Sequence, residues 1–168
     1  MILKNKWLIL GLMLMCFVTS CGVYSFTGAA IEGRTINVHF IENNARTVVP
    51  SLSATLTEKL RQRILSQSSL SQVNNDMTDY DVSGAINGYD VTVASVTGKE
   101  TSLLNRLTIT VSITFKNKLN EKANFVQSFS RFADFSSDQN IQNVEVKLIS
   151  EISDQLADDI FNKAFVNW

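Results

Sequence analysis

Apolar and polar residues alternate one by one in two clear stretches of the chain, 35–41 and 107–115. They recur every three or four residues in two others, 50–65 and 142–164. The first pattern belongs to strands with one buried face, the second to helices with an apolar stripe. In 35–41, Ile36, Val38 and Phe40 share a face. From Pro50 the period changes: Leu52, Leu56, Leu60 and Ile64, joined by Leu65, form a stripe, while Glu58, Lys59, Arg61 and Arg63 lie elsewhere. Proline suits the first helical turn, where its missing N–H has no intrahelical partner. A turn-rich stretch, 66–78, separates this helix from a weaker alternation through Tyr80, Val82, Gly84, Ile86 and Gly88. The two glycines predict a bulge or a close backbone approach.

The best strand is 107–115, with Leu107, Ile109, Val111, Ile113 and Phe115 on one face and Thr108, Thr110, Ser112 and Thr114 on the other. Residues 116–122 form a hairpin tip, and 125–135 return as a strand blurred by Val126 and Phe132. The last helix carries Leu148, Ile149, Ile152, Leu156, Ile160 and Phe161 on one stripe. Asp158 and Asp159 approach the negative end of its dipole, with only Lys163 to compensate. The order β-α-β-β-β-α predicts an α+β two-layer sandwich, an α/β roll. Its sheet would have four mostly antiparallel strands, with both helices on one face. The Thr/Ser face would then remain uncovered.

The beginning of the chain follows a different logic. Lys4 and Lys6 precede an unbroken apolar run at 7–18. That run is short of the ~20 residues a spanning helix needs and fits the apolar core of a secretory signal. Val18-Thr19-Ser20-Cys21 then has the form of a lipobox: a branched apolar residue, two small ones, and a cysteine whose thiol accepts a diacylglyceryl group. The expected organisation is a signal peptide at 1–20, a lipidated tether at 21–33 and one domain at 34–168. Cys16 would leave with the signal, so Cys21 would be the one mature cysteine, blocked as a thioether. No disulfide, thiol or zinc framework remains. The expected covalent additions are acyl chains on Cys21, with no cofactor. No aspartate follows Cys21 and no acidic run comes after it, which points to the periplasmic face of the outer membrane.

Composition narrows the function. Removal of 1–20 leaves 148 residues, a single-domain size, with 13 basic residues against 16 acidic. That balance gives no basic face for nucleic acid. His39, the only histidine, falls on the polar side of its strand beside no obvious acid, as an exposed or hydrogen-bonded bystander. No metal-ligand spacing, nucleophile elbow or phosphate loop occurs. Asp158 and Asp159 diverge by ~100° on a helix and do not form a catalytic pair. What remains are binding surfaces. Lys116, Lys118 and Lys122 crowd one tip, with Lys99 in the preceding loop and Arg106 and Arg131 on flanking strands. The set could meet lipid phosphates, although lysines at a hairpin tip are more often simply solvated. Phe125, Phe129, Phe132 and Phe135 could meet a partner, with core packing the simpler account.

Four strings carry a family resemblance: Cys21-Gly-Val-Tyr-Ser-Phe-Thr-Gly28, Asn105-Arg-Leu-Thr-Ile-Thr-Val111, Phe129-Ser-Arg-Phe-Ala-Asp134 and Asp159-Ile-Phe-Asn-Lys-Ala-Phe-Val-Asn-Trp168. With them the chain resembles the LptE family of lipopolysaccharide-assembly lipoproteins, in its Bacteroidetes form. The resemblance implies a non-enzymatic plug for the LptD-type outer-membrane β-barrel that also helps the barrel assemble. It further implies lipopolysaccharide as a contact, with membrane attachment through the lipid anchor. The polar sheet face would suit the polar lumen of such a barrel. Lys99, Arg106, Lys116, Lys118, Lys122 and Arg131 are the lipopolysaccharide contacts that charge and position nominate. The alternative is a structural or hydrophobic-ligand carrier lipoprotein facing the periplasm, outside that pathway.

Overall fold

The computed structural model describes residues 31–75, 77–94 and 103–166. Six strands and two long helices follow in the order β1 (Thr35–Val38), β2 (Glu42–Asn43), α1 (Pro50–Gln67), β3 (Ser71–Gln72), β4 (Tyr80–Ala94), β5 (Leu104–Asn117), β6 (Phe125–Ser136) and α2 (Ile141–Phe161). The sheet order is β3-β1-β4-β5-β6, with β2 also on β4. The long strands β4, β5 and β6 form the expected antiparallel meander. The four-strand expectation needs correction, because β1 pairs in parallel with both β3 and β4, and β2 pairs in parallel with β4. The sheet is therefore mixed, and β2 and β3, of two residues each, are too short for any periodicity to show.

The first strand is also shorter than its alternation. It stops at Val38, and Phe40 points out with 60% of its surface exposed while Ile41 is fully buried. The cause lies on α1: the buried Thr57 hydroxyl accepts the Ile41 N–H at 3.0 Å and draws the chain off the strand line. The α1 stripe Leu52, Leu56, Leu60 and Ile64 is buried as its spacing requires, but Leu65 remains exposed. Asn140 caps α2, its side-chain oxygen accepting the Gln142 N–H. Every apolar residue of the α2 stripe is buried. The inward residues of β5 complete the core at 0–1% exposure. Full burial of each such side chain contributes about 1.5–3 kcal/mol.

Ion pairs fasten the helices. Lys59 on α1 meets Asp154 on α2 at 2.9 Å, and Arg63 meets Asp158. Arg131 on β6 grips Asp159 in a two-pronged pair, one N–O distance being 2.6 Å. Both aspartates at the negative end of α2 are thus compensated by arginines from other elements. At the opposite end, the Tyr89 hydroxyl donates to Glu145 at 2.6 Å. Burial first, then that carboxylate, raises the tyrosine above its ordinary titration range.

One core position is chemically mismatched. Ser153 is fully buried on α2 and its hydroxyl has no hydrogen-bond partner among the described residues. An unsatisfied buried hydroxyl costs ~1–3 kcal/mol, and alanine is the better helix former. Ser153→Ala is therefore expected to stabilise the fold by about 1 kcal/mol, read as a rise of roughly 2–4 °C in thermal midpoint. An unchanged or lower midpoint would show that the hydroxyl is satisfied.

Candidate functional site: an open polar sheet face and a basic hairpin

Both helices cover one face of the sheet, so the other face is open to a partner. Directly opposed residues of antiparallel strands share a face. On β5 the open side carries Arg106, Thr108, Thr110, Ser112, Thr114 and Lys116; β6 adds Val126, Ser128, Ser130, Phe132 and Asp134 opposite them. On β4 a bulge between Ile86 and Gly88 shifts the parity, so Ser83 and Ala85 before it and Gly88, Asp90 and Thr92 after it share that face. The centre is a ladder of short uncharged side chains, with the Thr110 and Ser130 hydroxyls 2.9 Å apart. Its small profile gives a partner close access to the sheet. Sequence alternation identified only the β5 part of this surface.

Charges lie towards the borders of the ladder. Arg106 forms two hydrogen bonds to Asp134 across the strands, at 2.7 and 2.8 Å, and its guanidinium lies 3.6 Å from the centre of the Phe132 ring. The same hydrogen bonds hold the Asp134 carboxyl below its ordinary range. Arg106 and Arg131, both nominated for anionic lipid, are thus committed to aspartates. The partners Asp134 and Asp159 are 28 residues away in each case, which only strand register and helix packing reveal. The phenylalanine series divides: Phe129 and Phe135 are buried, Phe125 is half-buried in the aromatic core, and Phe132 lies on the open face under Arg106.

His39 does have an acid beside it, contrary to the sequence expectation. Parallel pairing of β1 with β4 brings its Nε2 to 2.7 Å from Asp81 and 3.1 Å from the Asn37 amide nitrogen. One imidazole nitrogen cannot donate to Asp81 and accept from Asn37 at once, so the carboxylate fixes the tautomer. Among the described residues no group of three or more His, Cys, Asp or Glu side chains is placed to hold a metal. The pair is a polar clasp between two strands.

The lysines sit at the opposite border. Lys116 is the last residue but one of β5, and Lys118 and Lys122 follow on a tip built by asparagines. Asn117 Oδ1 accepts from the Leu119 and Asn120 amides, and Asn124 Oδ1 accepts from the Asn117 amide at 2.6 Å. Asn120 in turn caps the short helical turn Glu121–Ala123 by accepting from Lys122 N. Lys116 and Lys122 are exposed and make no ion pair among the described residues. Cys21 and Lys99 lie outside the described residues.

The fold defines the class: a small, open-sided α+β two-layer sandwich. A model of the LptE family, described as lipopolysaccharide-assembly, matches residues 33–164. The chain belongs to the LptE family. Membership places it, in general terms, among the lipoproteins that serve lipopolysaccharide assembly. No curated protein matches the chain by sequence. Among solved structures, a hypothetical protein from Chlamydia trachomatis superposes with a TM-score of 0.51 at 9% identity, over 80% of this chain and 98% of the other, and shares the fold. A minor lipoprotein from Acinetobacter baumannii is similar at 20% identity and TM-score 0.43, over 80% of this chain and 92% of its own. The rare lipoprotein B from Shewanella oneidensis gives 14% identity and TM-score 0.43, over 77% and 92%.

Proposed function

We propose that the chain is exported, acylated at Cys21 and held at the periplasmic face of the outer membrane, where it plugs an LptD-type β-barrel. In that place it would assist insertion of lipopolysaccharide into the outer leaflet and help the barrel assemble. The observation that carries this reading is the Thr/Ser ladder at the centre of an open sheet face whose other side is sealed by helices. Barrel interiors are polar, and a ladder of short hydroxyl side chains can exchange water for lumen hydrogen bonds. Lipopolysaccharide contact is part of the proposal. Arg106 and Arg131 are held by aspartates and so are the weaker of the nominated cations for it.

The test is capture from detergent-solubilised envelopes through an affinity tag on the chain's C-terminus. A very large β-barrel protein should co-purify in near-stoichiometric amount. Recovery of the chain alone, together with normal surface lipopolysaccharide after its depletion, would favour the carrier alternative. That alternative needs an apolar cavity between the layers, where Leu107, Ile109, Val111 and Ile113 now pack at 0% exposure.

A further inference from the structure

The tether leaves the domain beside the basic hairpin. The Gly33 N–H donates to the Tyr80 hydroxyl at 3.1 Å, and the Asp79 carboxylate accepts from the Arg34 and Thr35 amides and the Thr35 hydroxyl. Those hydrogen bonds, the Arg34 amide foremost, hold the Asp79 carboxyl below its ordinary range. One residue's backbone then joins the two features: the Asp79 carbonyl accepts the Lys118 N–H at 2.9 Å. Residues 33–35 and the lysine tip are therefore fixed at one pole of the molecule. The pole has a rigid base, because Tyr80, Phe115, Phe125 and Phe165 contact one another there with ring centres 5.3–5.9 Å apart.

The exposed chemistry of that pole is amphipathic. The tip presents Lys116, Lys118 and Lys122, with Leu119 half exposed between them and Glu121 as its one acid. Lys163 stands over the Phe125 ring at 5.8 Å. Below the tip a shallow cavity of about 350 Å³ is lined by Thr114, Phe115, Lys116, Asn124, Phe125 and Val126. Of the acids at this pole, Asp79 is committed to backbone amides and Asp81 to His39, and Glu32 stands exposed beside Arg34. Cations around an apolar point, on a stiff base, match a surface of phosphates over hydrocarbon.

Geometry selects which phosphates. From Cys21 to Ile31, which packs against the core, the chain spans at most about 33–36 Å when extended. Acyl chains on Cys21 would keep the pole within that distance of the leaflet they occupy, at a high local concentration of headgroups. We propose that the 116–122 hairpin docks on anionic glycerophospholipid headgroups of the leaflet that holds the anchor. It thereby fixes the domain's orientation to the membrane. The inference rests on acylation at Cys21.

The experiment uses the full mature acylated chain carrying Leu119→Cys, labelled with a polarity-sensitive fluorophore; Cys21, as a thioether, does not react. It is reconstituted into vesicles of phosphatidylcholine alone or with about a third phosphatidylglycerol. The expected result is an emission shift at least twofold larger in the anionic vesicles, abolished by molar salt and by Lys116→Ala/Lys118→Ala/Lys122→Ala. Equal shifts in both vesicles, or indifference to the triple change, would overturn the proposal. So would a shift that appears only when lipopolysaccharide is added. Two controls keep the anchor separate. Mass spectrometry reads the acyl groups directly. Cys21→Ser should show weak, salt-sensitive sedimentation with anionic vesicles, at least threefold above neutral ones and lost in the triple variant. Absent acyl mass with tip-dependent sedimentation retained would count against the anchor alone; acylated protein lacking any tip response would count against the docking.

Discussion

Gly84→Ala is expected to lower the thermal midpoint by roughly 10 °C, a loss of about 3 kcal/mol. Gly84 faces the helices from the middle of β4, opposite Ile113. A Cβ built there lies 2.4 Å from the Ser112 carbonyl oxygen and 2.8 Å from the Ile113 Cδ1. The first neighbour is backbone inside a continuous ladder and cannot turn aside, so β4 and β5 would have to part. Alanine gains roughly 0.5–1 kcal/mol by restricting the unfolded chain, which the clash exceeds. Gly88→Ala is the matched control. Its nearest contact is a Thr110 side-chain carbon at 3.2 Å, beside the bulge, so its midpoint should move little. Circular dichroism melts of both variants decide the matter. A Gly84→Ala midpoint within a degree or two of the parent's would mean that the strands yield where the close approach says they cannot.

A second large effect is expected on the open face. Ser112→Arg with Ser130→Glu places two long charged side chains in the centre of the Thr/Ser ladder. The positions are diagonal neighbours, since Ser112 opposes Ser128 and Thr110 opposes Ser130, so the new charges attract across the strands. Both sites face solvent in the isolated domain, and surface changes of this kind usually alter stability within about 0.5 kcal/mol. In a docked face they would add bulk and take an ion pair out of water, a desolvation cost of several kcal/mol. A loss of 1.4 kcal/mol is already tenfold in affinity. Capture of the barrel by the tagged chain should therefore fall at least tenfold while the melting curve stays in place. Undiminished capture by a normally folded double variant would move the docking surface elsewhere, and with it the main support for the plug.

The two surfaces were legible to different degrees. The polar side of β5 followed from strict alternation through Thr108, Thr110, Ser112 and Thr114, because a strand's side-chain period is a local property. The contribution of β4 did not, since a bulge at Asn87 exchanges its inner and outer residues and only the partner strand reveals the shift. The lysine tip was legible as a turn. The charge of its neighbours was not, because Arg106 and Arg131 find Asp134 and Asp159 only after strands register and α2 lies down on β6. His39 likewise acquires Asp81 through a parallel pairing that leaves no trace in either segment.

By itself the sequence determined the number and kind of the long elements, the two helical stripes, the inner face of β5 and the resemblance to the LptE family. Each depends on spacing within one short segment, and a single segment's periodicity is enough to state which of its faces must leave water. Only the tertiary structure decided that the sheet is mixed, that β1 ends at Val38, which cations are already paired, and that the tether and the lysine hairpin share a pole. Those outcomes depend on register and crossing between segments far apart in the chain. Long-range hydrogen bonds such as that from Ile41 N to the Thr57 hydroxyl override local pattern, because a buried amide must find a partner wherever the fold brings one.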